Sequence, residues 1–263
     1  MERDIEQLRS QPHWSYTALN TYLNVCQLKY YYQYIENAER ERTSACFAFG
    51  RAFHAVLSER AIKGRDFSKA EAVSSFAFYL EHEIKAEENV IFKPGEDIGT
   101  LNTTAERMLS VVLDGWQDDH AVIAVAQSFA VDVPGLSKPL IGEFDLVVRD
   151  GNDPCIVDWK TASSRWAADK ADKDLQATVF SYAYHKLHGE MPLFRFDVIT
   201  KAKTPVLESH YTMRGQEGLN RFEWMAQQAE SAIQKGIFLP NETSFSCGEC
   251  PYRNRCKNSH RKD

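Results

Sequence analysis

Ile156-Val-Asp-Trp-Lys-Thr161 reads as a buried strand with charge on one face. Side chains alternate along a strand, so Val157 and Trp159 point one way and Asp158 and Lys160 the other. The run from Leu140 to Arg149 alternates in the same manner and contains Gly142-Glu-Phe-Asp145. Asp150-Gly-Asn-Asp-Pro154 is a turn short enough to pair the two strands. Glu143 and Asp145 are then expected on one face, and with a suitable register three carboxylates converge on one ammonium.

Outward from this pair the pattern continues. Phe129, Val131 and Val133 give an earlier strand, closed by the turn Pro134-Gly-Leu-Ser-Lys-Pro139. Downstream, residues 172–187 read as a helix, 193–199 and 206–212 as strands, and 216–235 as an amphipathic helix through Leu219, Phe222, Ala226, Ala229 and Ile233. Upstream the period is helical. Ser15 is placed to cap a helix carrying Leu19, Leu23, Cys26, Tyr30 and Tyr34, which puts Cys26 on a buried face. Phe49, Phe53, Val56 and Leu57 stripe a second helix over 48–62 with His54 at the stripe's edge, and 68–88 and 101–117 read as further helices. Together these predict an α/β fold, a mixed central sheet flanked by helices, in one domain over residues 1–263.

Composition is consistent with that. The chain of 263 residues is 43% hydrophobic and 12% aromatic, enough for a substantial core, with 31 Lys+Arg against 37 Asp+Glu and a net charge of −6. Disorder and a naked basic nucleic-acid arm are excluded. No run approaches the roughly 18–20 apolar residues of a membrane span, and the charged start Met1-Glu-Arg-Asp-Ile-Glu6 is unlike a signal peptide. A soluble, cytoplasmic protein without membrane partners is expected. The charge is uneven: residues 60–120 hold 7 basic and 12 acidic side chains, whereas Arg253, Arg255, Lys257, Arg261 and Lys262 face only Asp263 near the C-terminus.

The acidic strand pair suits a hard divalent cation. Mg²⁺ takes oxygen ligands, typically one or two carboxylates with water and substrate phosphate completing the shell, and Asp145 and Asp158 are of that type. A lysine beside the cation can orient the attacking water and neutralise charge on a phosphorane, so Asp158-x-Lys160 points to phosphodiester cleavage. An isolated Asp-x-Lys is usually a solvated strand face. Here the apolar strand and the acid on the preceding strand give it its context.

Cys247-Gly-Glu-Cys250-Pro-Tyr-Arg-Asn-Arg-Cys256 is a C-x₂-C-x₅-C cluster within residues 240–263, and Cys26 lies 221 residues upstream of it. Four thiolates suit tetrahedral zinc or an iron–sulfur cluster. Either would close a very long loop and couple metal binding to folding. Cys46 and Cys155 read as ordinary buried thiols.

With these residues in view the chain resembles the RecB-like branch of the PD-(D/E)XK nuclease superfamily, in particular its iron–sulfur members related to CRISPR adaptation nucleases and helicase-linked exonucleases. Ser15-Tyr-Thr-Ala-Leu19 through Cys26-Gln-Leu-Lys-Tyr-Tyr-Tyr32 is similar to the opening helix with its first cluster cysteine, Phe49-Gly-Arg-Ala-Phe-His54 to the Gly-then-His helix, Gly142-Glu-Phe-Asp145 to the metal-binding acid, and Val157-Asp-Trp-Lys-Thr161 to the Asp-x-Lys core. Asp174-Leu-Gln176 stands where the family places a glutamine; four residues on, where it often has tyrosine, this chain has Phe180, with Tyr182 and Tyr184 nearby.

The resemblance implies a restriction-endonuclease-like sheet and Mg²⁺ or Mn²⁺ on His54, Asp145 and Asp158. It also implies a catalytic Lys160 and a Gln176 that supports DNA or lysine positioning. Glu143 is expected to support the ligands. The resemblance favours a 4Fe–4S cluster on Cys26, Cys247, Cys250 and Cys256, with zinc as the alternative. Its substrate would be DNA, most naturally single-stranded ends, with a helicase or CRISPR/recombination protein as partner. The rival reading is a non-catalytic nucleic-acid-binding or assembly subunit that kept the fold. The segment 60–120 matches no part of the family and reads as a helical insertion between His54 and Asp145, expected either to overhang the cleft and restrict access or to buttress the fold.

Overall fold

The computed structural model describes residues 4–116 and 120–259. The chain begins with helix α1 (Ile5–Arg9) and a two-residue strand β1 (Trp14–Ser15). Ser15 Oγ then accepts the Ala18 N–H at 3.1 Å and starts α2 (Tyr16–Asn20). The helix expected to run on through Cys26 is interrupted. π-helical turns over Thr21–Val25 and Tyr31–Ile35 flank the short α3 (Gln27–Tyr30), and Cys26 between them is extended, with φ −171° and ψ 121°. Its sulfur accepts the Lys29 N–H at 3.5 Å and caps α3. Cys26 is thus only partly buried and marks a break, not a position on a continuous apolar stripe.

Strand β2 (Thr43–Ser44) leads into α4 (Ala45–Lys63), whose Ala48, Phe49, Ala52, Phe53, Val56 and Leu57 are buried. Helix α5 (Lys69–Ala86) opens with a Ser68/Glu71 capping box, β3 (Val90–Ile91) pairs with β2, and α6 (Ile98–Asp114) opens with Asp97 and Thr100 capping each other. Residues 60–116 are mainly helical. They do not stand apart from the sheet: Phe76, Leu80, Leu101, Met108, Leu109 and Val112 share one core with Phe49, Phe53, Val157 and Trp159. Gln117, Asp118 and Asp119 lie outside the described residues, as do His260, Arg261, Lys262 and Asp263 of the basic tail.

A meander follows: β4 (Ala121–Val131), β5 (Leu140–Asp150) and β6 (Asp153–Ala162), all antiparallel. The chain leaves β6 through α7 (Lys170–Lys173) and α8 (Leu175–His188) and returns as β7 (Leu193–Thr200), parallel to β6. A helical crossover is the usual way to join parallel neighbours. β8 (Leu207–Met213) pairs antiparallel to β7, then α9 (Gln216–Gln234) packs beside α8, and α10 (Arg253–Ser259) ends the described chain. Ala177, Phe180, Ala183, Leu219, Phe222 and Ala226 cover the second sheet face through Phe144, Phe194 and Phe196. The result is a mixed sheet between two helical layers.

Two irregularities position the site. β4 pairs with β5 along nearly its whole length, whereas β6 pairs with β5 only from Leu146↔Val157 to Asp150↔Asp153. At the other end β5 pairs instead with β1, parallel, through Trp14↔Leu140 and Ser15↔Ile141. β6 meanwhile stays with β7 as far as Ala162↔Thr200. The sheet therefore forks next to Asp145 and Asp158.

At the fork the alternation of β5 also breaks. Phe144 and Val147 belong to one core, Leu146 and Val148 to the other. β4 does the same across the ladder, with Phe129 in the first core and Val125 against the second, and Ala126 between them has φ 48°. Gly142 is required in the same region because a Cβ there would run into the ring of Phe129, which lies over it and stacks on Phe144 at 4.7 Å.

Candidate active site

Asp158 and Lys160 leave β6 on the same face, as strand alternation requires. The Asp158 side chain is 3% exposed and that of Lys160 28%, and Lys160 Nζ forms an ion pair with Asp158 Oδ2. Helix α8 supplies the third member. Asp174 caps it by accepting the Gln176 N–H at 2.8 Å, and this turn presents Gln176, whose Nε2 donates to Asp158 Oδ1. Asp158 Oδ2 is buried, and the Lys160 ammonium is its partner.

Asp145 approaches from the other prong of the fork. Its Oδ2 accepts the Trp159 backbone N–H at 3.1 Å and lies 3.2 Å from His54 Nδ1. His54 comes from the middle of α4 and sets its ring edge-on to Trp159, centroids 6.0 Å apart. The structure thus brings His54, Asp145, Asp158, Lys160 and Gln176 into one group. Glu143 makes no hydrogen bond to this group: Ser128 Oγ donates to it at 3.4 Å, and burial, with the charge of Asp145 opposed by Arg9 and Ser128, raises its carboxyl.

The two aspartates are tuned in opposite directions. Burial opposes ionisation of Asp145, but His54 by charge and hydrogen bond, with Lys160 and the Trp159 N–H, outweighs it and holds the carboxyl below its ordinary value. Burial, reinforced by the charge of Asp145 and opposed by Lys160 and His54, pushes Asp158 up to about 6. Burial also works to deprotonate His54 and Lys160. The carboxylates outweigh it at both, so each is held above its ordinary pKa.

The donor set of two carboxylates and an imidazole suits a hard divalent cation, and Asp158 Oδ2, beside the Lys160 ammonium, keeps a second lone pair for one. Among the described residues no three His, Cys, Asp or Glu side chains stand as a ready-made cage. The charges instead pair with each other, His54 with Asp145 and Lys160 with Asp158.

One further side chain reaches this group that sequence reading did not single out. Tyr16, at the start of α2, hydrogen-bonds Asp174; burial, then the charges of Asp174 and Asp158, push its hydroxyl well above the usual range. Its ring stands edge-on to Phe180 at 6.4 Å. Phe180 itself is core, and the Tyr182 hydroxyl donates to Glu223 Oε1 at 2.8 Å on the far side of the helix. A tyrosine hydroxyl is therefore delivered beside Asp174 from α2 and not from α8. The signal was present in Ser15-Tyr16 and Asp174-Leu-Gln176, but only the fold joins them.

A second group forms at the chain ends. Cys26, Cys247, Cys250 and Cys256 line one cavity of about 270 Å³. Cys26 Sγ accepts the Asn241 N–H at 3.3 Å, and the two segments are clasped by Leu28 N–H to Leu239 O at 3.1 Å and Asn241 Nδ2 to Val25 O at 3.0 Å. Amide N–H groups aimed at sulfur favour a thiolate ligand. Burial, then the neighbouring thiols, push Cys256 up, and burial raises Cys250 as well. Cys155 is fully buried elsewhere, and Cys46 lies in the first turn of α4.

A family model for the PD-(D/E)XK nuclease superfamily matches residues 13–257. Among curated proteins nothing matches. The crystal structure of a candidate exonuclease from Eubacterium rectale is similar with a TM-score of 0.58 at 14% identity, covering 95% of this chain and 93% of that one. At that identity the likeness is one of fold. SSO0001 aligns over 92% of this chain and 95% of its own at 13% identity, with a TM-score of 0.34 that carries no structural argument.

Proposed function

Because the chain belongs to the PD-(D/E)XK nuclease superfamily, we propose that it is a divalent-metal-dependent deoxyribonuclease that hydrolyses phosphodiesters exonucleolytically at single-stranded or frayed DNA ends. The observation that carries this is the meeting of Asp145, Asp158, Lys160 and His54 at the fork of the sheet.

His54, Asp145 and Asp158 are the residues to hold Mg²⁺ or Mn²⁺, a cation that would generate hydroxide from bound water and neutralise phosphate charge. Gln176 engages Asp158 Oδ1 and Oδ2 faces Lys160, so a cation at Oδ2 would share that oxygen with the ammonium. Lys160 stays protonated and stands beside that oxygen, where it can orient the attacking water and stabilise the phosphorane. Trp159 N–H and His54 fix the rotamer of Asp145.

The four cysteines are the ligands for a 4Fe–4S cluster, with zinc as the alternative, and their role is to tie the opening helices to the C-terminal segment. Their shared cavity and the N–H groups on Cys26 support this. The match across residues 13–257 supports one elaborated nuclease domain. A helicase or a CRISPR/recombination protein is the partner class that the resemblance implies.

The test is digestion of labelled linear single-stranded, blunt duplex and covalently closed circular single-stranded DNA, with Mg²⁺ or Mn²⁺ and with chelator. Nucleotide release from the linear strand, resistance of the circle and silence with chelator are expected. Equal rates on all three substrates would remove the exonuclease assignment, and no metal-dependent release would remove the enzyme.

A further inference from the structure

The loop after β6, residues 163–169, holds an arrangement that the reaction chemistry leaves unexplained. Trp166 packs on Phe196 with centroids 5.0 Å apart and on His210 at 5.8 Å, and Arg165 anchors the loop to β8 through Glu208 at 3.2 Å. Lys170 Nζ lies 3.9 Å from the centroid of the Trp166 ring. Phe196, the ring beneath Trp166, carries Lys160 Nζ at 5.8 Å. Two ammonium groups therefore stand on one pair of touching aromatic rings, one of them at the proposed reaction centre.

The two differ in their partners. Lys160 is paired with Asp158, whereas among the described residues Lys170 has no carboxylate at ion-pair distance, although it is exposed and Asp169 and Asp174 are close in sequence. Asp169 is taken by Lys173, and Asp174 is engaged by Gln176 N–H and Tyr16. Burial against the tryptophan lowers the Lys170 pKa, Asp174 raises it, and Lys160 is near enough to lower it further. An ammonium held on a ring, partly desolvated and within the field of a second ammonium, gains most from an incoming anion.

We propose that Lys170 and Trp166 form a subsite for a backbone phosphate of the substrate strand, next to the phosphate that Lys160 serves. The inference rests on the nuclease reading for the identity of the strand. Its ligand chemistry is a phosphodiester of single-stranded nucleic acid, held by the ammonium, with the indole as the seat that positions that ammonium.

The experiment is equilibrium binding of a fluorescent single-stranded oligonucleotide to the full chain in Ca²⁺, across a salt series, so that affinity is read without turnover. Lys170→Ala should weaken binding about tenfold and flatten the plot of log K against log salt by about 0.7, the value of one single-strand phosphate contact. Lys170→Arg should restore the slope, and Trp166→Leu should weaken binding without flattening it. Lys173→Ala removes the same charge three residues on and should leave the slope alone. An unchanged slope in Lys170→Ala, an equal flattening in Lys173→Ala, or a wild type that binds no single strand would each overturn the subsite. A wild type that binds with the expected slope change yet releases no nucleotide with Mg²⁺ or Mn²⁺ would sink the nuclease reading and leave the phosphate subsite standing.

Discussion

Trp159 gives its backbone N–H to Asp145 Oδ2 at 3.1 Å, across the gap where β5 and β6 have stopped pairing. In a continuous antiparallel ladder the donors of β6 would be used by β5 main chain. Here a side chain takes over, so the first donor past the fork goes to a proposed metal ligand. The carboxylate is thereby held between the strand it belongs to and the strand that carries Asp158 and Lys160.

The two aspartates should behave alike in activity and oppositely in stability. Asp145→Asn and Asp158→Asn should each abolish cleavage, and Lys160→Ala should lower kcat by about 10²–10³. At pH 7.5 without metal, Asp145→Asn removes a carboxylate held below its ordinary pKa and should lower Tm. Asp158→Asn relieves a buried carboxylate pushed up to about 6 and should raise Tm. Thermal unfolding of the two variants side by side checks the sign.

Metal affinity should fall as pH falls. In the metal-free protein Asp158 titrates near 6 and His54 above its ordinary value, and both must be deprotonated to act as ligands. Mn²⁺ binding should therefore release more protons near pH 6 than near pH 8, and the apparent Kd should rise steeply below pH 6. Calorimetric titration in two buffers of different ionisation enthalpy measures this directly, and a pH-independent Kd from about 5.5 to 8 would contradict the ligand set.

Anaerobically purified protein should be brown and carry iron and sulfide together. Cys26→Ala should lose both colour and much of its stability, whereas Cys155→Ala should keep the cluster, since that thiol lies buried away from the cavity. Metal analysis that finds one zinc per chain in a colourless protein would replace the cluster with a tetrahedral zinc site and leave the nuclease assignment untouched.

The kink that turns β4 and β5 over should be sensitive to backbone at two positions. Ala126→Gly relieves a left-handed alanine, φ 48°, and should stabilise by about 0.5–1 kcal/mol. Gly142→Ala forces Phe129 off its seat and should destabilise by about 1–3 kcal/mol, lowering activity through Asp145 three residues on. Denaturant melts of both variants, with equal m-values, provide the comparison.

The sequence by itself determined the elements and the chemistry carried on single strands. Period-two alternation placed β5, β6, β7 and β8 to within a residue or two, and it fixed Asp158 and Lys160 on one face because neighbours two apart on a strand cannot avoid sharing it. The cysteine spacing likewise marked a thiolate site before any fold was known. Tertiary structure decided what adjacency rules cannot reach. Alternation misled at Asp145, since the kink shared by Ala126 and Asp145 reverses the faces of both strands. Helical periodicity misled at Cys26, where an extended residue between two π-helical turns delivers the thiol to the C-terminal cysteines. Tyr16 met Asp174, and Lys170 met the aromatic pair beside Lys160, only because β1 fills the fork and the β6 to β7 crossover folds back over the sheet. Such meetings depend on how layers pack, and local sequence does not encode contacts that only that packing creates.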